Sequence, residues 1–384
     1  MIFALVACGG NKSDRSEEVG DTIPMKYARN LTMVRYADRT EVMIRNPWDT
    51  TAVLHHYILM NEELRNKNEE LATAHAQETG NSSFLILNSS LSGTPVRTPL
   101  RRAGIFTAVH CGLVKELGCE PAIRGICEIE YINIPSIKRA VSEGRVANFG
   151  SAMEPSIEGI MDAQPDALLI SPFENSGGYG RVERLGIPII ECADYMEFSP
   201  LARAEWMRFY GRLFGVGERA DSLFLEVERR YLALRDEANH VSHRPTLIAE
   251  RPYSGVWYVP GGSSAMGVLY HDAGADYLFY DRKKNGSLAL SVETVFEVGQ
   301  QADIWLIKYN QPTPLTRRQI TADYPPFAHF RAVETGRVYG CNQETSRFYE
   351  ETPYHPDRLL ANLVEIIHPE FGIKAEKSYF CPLG

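Results

Sequence analysis

Three basic residues, Arg251, Lys308 and Arg347, sit in short polar stretches directly after apolar runs, where a folded chain exposes its loops. Three cations so placed can hold a negatively charged ligand by charge-assisted hydrogen bonds. Phe106, Thr107, Met153, Phe173, Tyr179, Tyr253, Trp257, Tyr258 and Tyr309 fall in comparable stretches and would supply apolar area for a large, flat or oxygen-rich ligand. For each aromatic, a place in the core is the alternative. His110 has the chemistry to ligate a metal or a haem iron, and Tyr179, Tyr253 or Tyr258 could ligate haem through a phenolate. A hydrogen-bonded loop histidine is the other reading of His110. A bare divalent metal is not expected, because His55, His56, His240 and His243 fall in an N-terminal segment or beside a long helix and do not converge with carboxylates. No G-x-S-x-G, P-loop or H-E-x-x-H pattern occurs, and Gly261-Gly262-Ser263-Ser264 lacks the spacing of a nucleophile elbow. An enzyme is not expected.

These stretches need a scaffold, and the chain repeats a unit able to build one. Ser156-Ile157-Glu158 leads through Ile160-Met161, Asp162 and Pro165-Asp166 into the run Ala167-Leu168-Leu169-Ile170. Ser291-Val292-Glu293 leads through Val295-Phe296, Glu297 and Ala302-Asp303 into Ile304-Trp305-Leu306-Ile307. Each Ser can cap a helix, and each Glu sits in a first turn, where the helix dipole favours it. The copies are too far apart for a solenoid, whose period is ~20–50 residues. They describe two similar lobes, with chance likeness between two helix–strand units as the alternative. In two-lobed α/β proteins ligands bind beyond the carboxyl ends of strands, which selects the loops holding the residues named above.

In chain order, residues 31–36 and 41–45 flank a polar turn as a β-hairpin, residues 53–59 form another strand, and residues 84–87 close a small N-terminal sheet. From Ala103 strands alternate with helices: a strand ends at residue 108, Thr107 begins a helix, and residues 123–126, 167–170 and 187–190 are strands. Residues 181–185 read as helix. A helix over 201–214 precedes a longer one over 218–238, whose Ala220, Leu223, Phe224, Val227, Tyr231 and Leu234 make one apolar stripe. A second alternating series follows, with residues 246–250 and 256–259 as its first strands. The organisation is a remnant and tether over 1–21, an accessory β region over 22–93, a lobe over 94–200, a helical linker over 201–242 and a lobe over 243–384. The fold class is α/β: two Rossmann-like lobes joined by one long helix, with an N-terminal β-hairpin region.

At 384 residues, 44% hydrophobic and 23% charged, the chain has material for two or three cores. A net charge of −9 speaks against nucleic acid, which asks for a basic face. Leu5-Val6-Ala7-Cys8 resembles the lipobox of bacterial lipoproteins, in which the cysteine is lipidated. Only seven residues precede Cys8, fewer than a secretory signal has, so a longer leader is expected. No CxxC occurs among the other cysteines, and no disulfide is expected.

Residues 158–170, 185–190 (LGIPII), 214–221 (FGVGERAD), 258–274 (YVPGGSSAMGVLYHDAG), 290–307, 336–339 and His368-Pro369 carry a further likeness. Together, in order and spacing, they resemble the solute-binding proteins of ABC importers for iron–siderophore complexes, haem and cobalamin. The resemblance implies the helical-backbone, TroA-like class of periplasmic binding protein, whose lobes move little on binding. It implies an ABC permease with its ATPase as partner, docked through Glu158 on one lobe and Glu293 on the other. It implies as ligand an iron complex, a ferric siderophore first, haem second and cobalamin third, with no cofactor of the protein's own. A periplasmic protein lipid-anchored to a membrane of a Gram-negative bacterium is the expected setting, with a surface-exposed lipoprotein serving an outer-membrane receptor as the alternative. Residues 22–93 lie outside the pattern.

Overall fold

The computed structural model describes residues 20–61, 93–174 and 178–384. Cys8 with its tether and the strand expected at residues 84–87 lie outside them. The N-terminal sheet comprises β1 (Asp21–Ile23), β2 (Leu31–Arg35), β3 (Arg39–Arg45), β4 (Val53–Asn61) and β5 (Thr94–Thr98), ordered as in the chain. The β2–β3 hairpin forms as expected, with Arg35 opposite Thr40. The strand Thr94–Thr98, assigned from the sequence to the first lobe, instead pairs in parallel with β4 and is the last strand of this sheet. Ile23, Met33, Tyr57 and Val96 of the sheet share one apolar core with Ile105, Leu113 and Leu169 of the first lobe.

Hydrogen bonds splice the sheet to the rest as firmly as packing does. Glu205, fully buried, accepts the backbone N–H groups of Lys26, Tyr27 and Ala28, each at 2.8 Å. Glu197, also fully buried, accepts those of Arg29 at 3.1 Å and Asn30 at 3.0 Å, and the indole N–H of Trp206 at 2.9 Å. A carboxylate without water is tolerable only when donors replace it, and five consecutive amides do so here.

Lobe 1 holds β6 (Ala103–Ile105), α1 (Ala108–Glu116), β7 (Ile123–Cys127), α2 (Pro135–Ser142), β8 (Ala147–Gly150), α3 (Ile157–Ala163), β9 (Ala167–Ile170) and β10 (Ile189–Glu191). Its sheet is parallel throughout, ordered β10-β9-β6-β7-β8. Residues 181–185, expected as a helix, make only a tight turn at Glu183–Leu185, ended by Gly186 in the left-handed region at φ 67°. The helix expected over 201–214 is two, α4 (Pro200–Glu205) and α5 (Met207–Leu213). The break is at Trp206, whose N–H bonds back only three residues, to Arg203, while its indole is tied to Glu197. Then α6 (Gly217–Asn239) runs 23 residues, about 34 Å, burying Ala220, Phe224, Val227 and Tyr231.

Lobe 2 follows with β11 (Thr246–Ala249), β12 (Pro252–Tyr253), β13 (Val256–Pro260), α7 (Ala265–Asp272), β14 (Asp276–Tyr277), β15 (Ser287–Ser291), α8 (Val292–Gly299) and β16 (Ile304–Tyr309). It ends with α9 (Arg317–Asp323), α10 (Arg331–Glu334), β17 (Val338–Asn342), α11 (Phe348–Glu351), α12 (Pro356–Ile367) and β18 (Cys381–Pro382). The main sheet is ordered β14-β11-β16-β17-β18, parallel except for β18. The two repeat copies thus lie in separate sheets, and each repeat strand, β9 or β16, pairs with the first strand of its own lobe. Both caps form: Ser156 Oγ accepts from Gly159 N at 3.0 Å and Ser291 Oγ from Thr294 N at 3.2 Å. Residues 256–259 do not join the main sheet. Ser254 and Gly255, at φ 50° and 80°, turn the chain in a two-residue hairpin, and β12-β13-β15 form a small antiparallel sheet.

Candidate functional site between the lobes

Two contacts decide which edges of the lobes face each other. Asn133, after β7, donates its side-chain amide to the carbonyls of Gln343 (3.1 Å) and Ser346 (3.0 Å), after β17, and its backbone N–H to Glu350 (2.5 Å). Asn285, after β14, donates to the carbonyl of Met196, after β10, at 2.6 Å. These loops lie beyond the carboxyl ends of parallel strands, and in each sheet they flank an inner pair, β9 and β6 or β11 and β16. The loops following those four inner strands therefore face one another across a cleft. Because α3 and α8 run antiparallel to the strands they lead into, their N-termini, with exposed Glu158 and Glu293, lie on the same side.

Large apolar side chains left in solvent gather at these strand ends. Met153 after β8 is 74% exposed, Phe173 after β9 and Tyr349 after β17 are nearly half exposed, and Tyr253 after β11 is 77% exposed. Burying such groups against a ligand is favourable by roughly 25 cal/mol per Å² of apolar surface. Arg251 and Arg347 are more than a third exposed and only loosely paired, 3.6 Å from Asp323 and 3.7 Å from Glu351. Exposed pairs of that length are worth ~0–1 kcal/mol, so both guanidiniums remain open to a better anion.

Several residues named from sequence are placed otherwise. Phe106 and Tyr309 are core residues; Phe106 packs beside Phe149. Trp257 is fully buried, donates its indole N–H to the Ala249 carbonyl at 3.1 Å and packs against Trp305 and Phe327. Tyr258 is half-exposed within β13, in the same small antiparallel sheet as Tyr253 of β12. Thr107 is half-buried, with Oγ1 2.7 Å from His110 Nδ1.

His110 is 1% exposed, one turn into α1. Its Nε2 lies 3.2 Å from both Asp194 Oδ1 and the Tyr210 hydroxyl, and Arg203 holds the other carboxylate oxygen of Asp194 at 3.0 Å. Burial pulls the imidazole's pKa down, but Cys192 and the Asp194 carboxylate outweigh it and hold the pKa at about 10. Buried, with one ring nitrogen beside Thr107 and the other beside Asp194 and Tyr210, His110 is not placed to ligate metal or haem.

Lys308 is paired with Glu250 and its side chain is 15% exposed. Burial opposes its charge, yet Glu250 holds its pKa above the ordinary lysine range. The contact that fixes this charge leaves Arg251 and Arg347 as the better anion-holding groups of the three. Tyr179 donates its hydroxyl to Glu191 at 2.9 Å, and burial together with that carboxylate raises the phenol's pKa. A phenolate there would meet an anion, so Tyr179 is a poor haem ligand. Tyr253 is the phenol at a strand end that carries no such restraint. Among the described residues no His, Cys, Asp and Glu group is arranged to hold a metal ion.

Sequence reasoning passed over Tyr131, exposed after β7, and Glu128, whose backbone is in the left-handed region at φ 56°. Glu128 Oε1 accepts from Ala152 N at 2.7 Å and so fixes the loop that carries Met153. An aromatic three residues after Glu128, itself directly after an apolar run, was the available signal for Tyr131. A separate groove of about 710 Å³ lies at the opposite, amino-terminal end of lobe 2, lined by residues including His243, Arg337, Glu365, His368, Lys374 and Phe380.

A family model described as periplasmic binding protein matches residues 111–345. An uncharacterized lipoprotein of Methanocaldococcus jannaschii is 23% identical over 371 residues, covering 93% of this chain and 84% of the relative. Among solved structures, a periplasmic heme binding protein from Pseudomonas aeruginosa superposes with a TM-score of 0.57 at 18% identity, over 74% of this chain and 98% of that one. An ABC-type Fe3+-hydroxamate transport system protein from Saccharomonospora viridis gives a TM-score of 0.55 at 17% identity, over 70% and 94%.

Proposed function

Because the chain belongs to the periplasmic binding protein family, we propose that it is the lipid-anchored solute-binding component of an ABC importer and captures a metal complex between its lobes. The observation that carries this reading is the cleft, where exposed Phe173 and Tyr253 stand with the loosely paired Arg251, flanked by the loop after β17 with exposed Tyr349 and the loosely paired Arg347. Apolar area and two open cations fit an anionic ferric siderophore best, since each charge-assisted hydrogen bond contributes ~1.5–3 kcal/mol. Haem ranks second. With His110 buried and Tyr179 committed to Glu191, an axial ligand would come from an exposed side chain such as Tyr253. Cobalamin ranks third, being nearly neutral around its ring and relying on the aromatics. The solved neighbours named for heme and Fe3+-hydroxamate support the first two classes.

Delivery would be to an ABC permease and its ATPase, with Glu158 and Glu293 as the docking charges. The lipoprotein relative supports an extracytoplasmic setting, and its archaeal source widens the choice of membrane beyond the Gram-negative periplasm. Titration of purified protein with ferric citrate, ferrioxamine B, haemin and cyanocobalamin, followed by tryptophan fluorescence, tests the ligand class. Saturable binding of a ferric chelate is expected. Tight cyanocobalamin binding with no response to any iron complex would reject the iron reading.

A further inference from the structure

A line of polar contacts runs from the N-terminal sheet to Tyr179. Thr94 Oγ1 of β5 lies 2.8 Å from His55 Nε2 of β4, and His55 Nδ1 lies 3.0 Å from Glu191 Oε2 at the end of β10. The other oxygen of Glu191 accepts the hydroxyl of Tyr179 at 2.9 Å. Tyr179 stands in the segment that leads into β10, and its own N–H is held by Glu183 at 2.6 Å. The His55 ring is stacked on Tyr57, 4.2 Å between centroids and 12° from parallel. Tyr57 itself is fully buried; its hydroxyl donates to the Ile189 carbonyl and accepts from Glu191 N, both at 2.8 Å. Two side-chain positions on one face of one strand, 55 and 57, therefore grip the end of β10, and one of them reaches Tyr179 through a single carboxylate.

We propose that the N-terminal sheet is part of the binding machinery: His55 and Glu191 are positioning residues that hold Tyr179, and with it residues 178–185 beside the end of β10, in place for ligand. The inference rests on reading the cleft as the ligand site. It gives the sheet a task beyond packing. A sheet that only completed the core of lobe 1 would need the apolar face of β4 and Tyr57, but no histidine aligned between a threonine hydroxyl and a carboxylate. His55 also makes the link testable with little disturbance of the core, since its side chain is 29% exposed whereas Tyr57 on the same face of β4 is fully buried.

The experiment compares wild type with His55→Ala, His55→Gln and Tyr179→Phe in the full chain. Amide hydrogen exchange is read in peptides covering residues 178–185, and affinity is read with whichever of ferric citrate, ferrioxamine B, haemin or cyanocobalamin saturates the wild type. His55→Ala should speed exchange in that segment about tenfold and weaken binding about fivefold, the scale of one net hydrogen bond. His55→Gln, whose amide can face both Thr94 and Glu191, should restore both readings. Tyr179→Phe should weaken binding as much as His55→Ala, and the double variant no more than either, because one chain of contacts is cut once. Unchanged exchange in His55→Ala overturns the inference, as does faster exchange with unchanged affinity, which would make the link structural only. A wild type that binds none of the four probes takes down the functional reading, and this inference with it, whereas normal wild-type binding with insensitive variants removes the inference alone.

Discussion

The two lobes are built alike and finished differently. Each has a Ser-capped helix leading into a strand that pairs with the lobe's first strand, and in each the same inner strand pair opens on the cleft. Their strand-end loops carry opposite charge. Lobe 1 presents exposed Glu130, Glu154 and Glu174 with Tyr131, Met153 and Phe173, and its β9–β10 connection adds exposed Arg181, Glu183 and Arg184 among the described residues. Lobe 2 presents Arg251, Arg347 and the exposed run Arg282-Lys283-Lys284. Framework is set by packing, which a repeat conserves; loop chemistry is free of that constraint and takes its character from what it must touch. A ligand held between such walls would turn its anionic side to lobe 2.

The likeness of the lobes predicts the largest effect. Reversing Glu158 and Glu293 together should abolish permease-dependent uptake while leaving ligand affinity intact, and each single reversal should cost uptake about equally, because rim charges orient partners. Normal uptake by the double reversal would end the docking assignment. The difference between the lobes predicts the next. Arg251→Gln with Arg347→Gln should weaken binding of an anionic ferric chelate about 100-fold, two charge-assisted contacts at ~1.5 kcal/mol each. Neutralising Glu130, Glu154 and Glu174 should change it by less than about threefold, and in the direction of tighter binding. Equal losses from both walls would erase the distinction.

The smallest effect concerns the seam. Glu350 is 3% exposed, its Oε1 accepts the Asn133 N–H, its Oε2 has no partner, and Gly112 packs so closely on its carbonyl that a Cβ would meet it at 1.9 Å. Burial raises the carboxyl's pKa from 4.5 to about 7, with the Asn133 N–H and Arg347 opposing. A carboxyl raised on folding binds its proton more tightly in the folded state. Its contribution to stability is therefore present below about pH 4.5 and is lost as pH rises toward about 7. Glu350→Gln should raise the melting temperature at pH 8 by a few degrees and flatten the profile between those values. His110 runs over a different window: its raised pKa favours the folded state fully below about pH 6.5, and that share fades toward about pH 10. His110→Gln should thus cost stability at neutral pH and little at pH 10.

What was legible in the sequence was what local chemistry encodes. Ser156 and Ser291 announce their caps, and Ala220, Phe224, Val227 and Tyr231 recur at helical spacing along α6. The family pattern joined these pieces into two lobes. Contacts between distant residues were not legible. Nothing near Glu205 marks it as the acceptor for amides some 178 positions earlier, and Trp257 reads as an exposed aromatic until Trp305 and Phe327 are seen to enclose it. Thr94–Thr98 was counted with the first lobe because its partner, β4, lies more than thirty residues upstream, and residues 84–87 offered a nearer apolar run to close the N-terminal sheet. His110 looked available because its neutralising partner, Asp194, is 84 residues away.

The central claim is that ligand sits between the strand ends of the two lobes and not in the groove at the far end of lobe 2. Equilibrium titration of the same iron chelate into two variants tests it directly: Tyr253→Ala with Arg347→Ala in the cleft, and His243→Ala with Lys374→Ala in the groove. The cleft variant is expected to lose at least about tenfold in affinity at an unchanged melting temperature while the groove variant binds as wild type. Binding kept by the cleft variant and lost by the groove variant would contradict it.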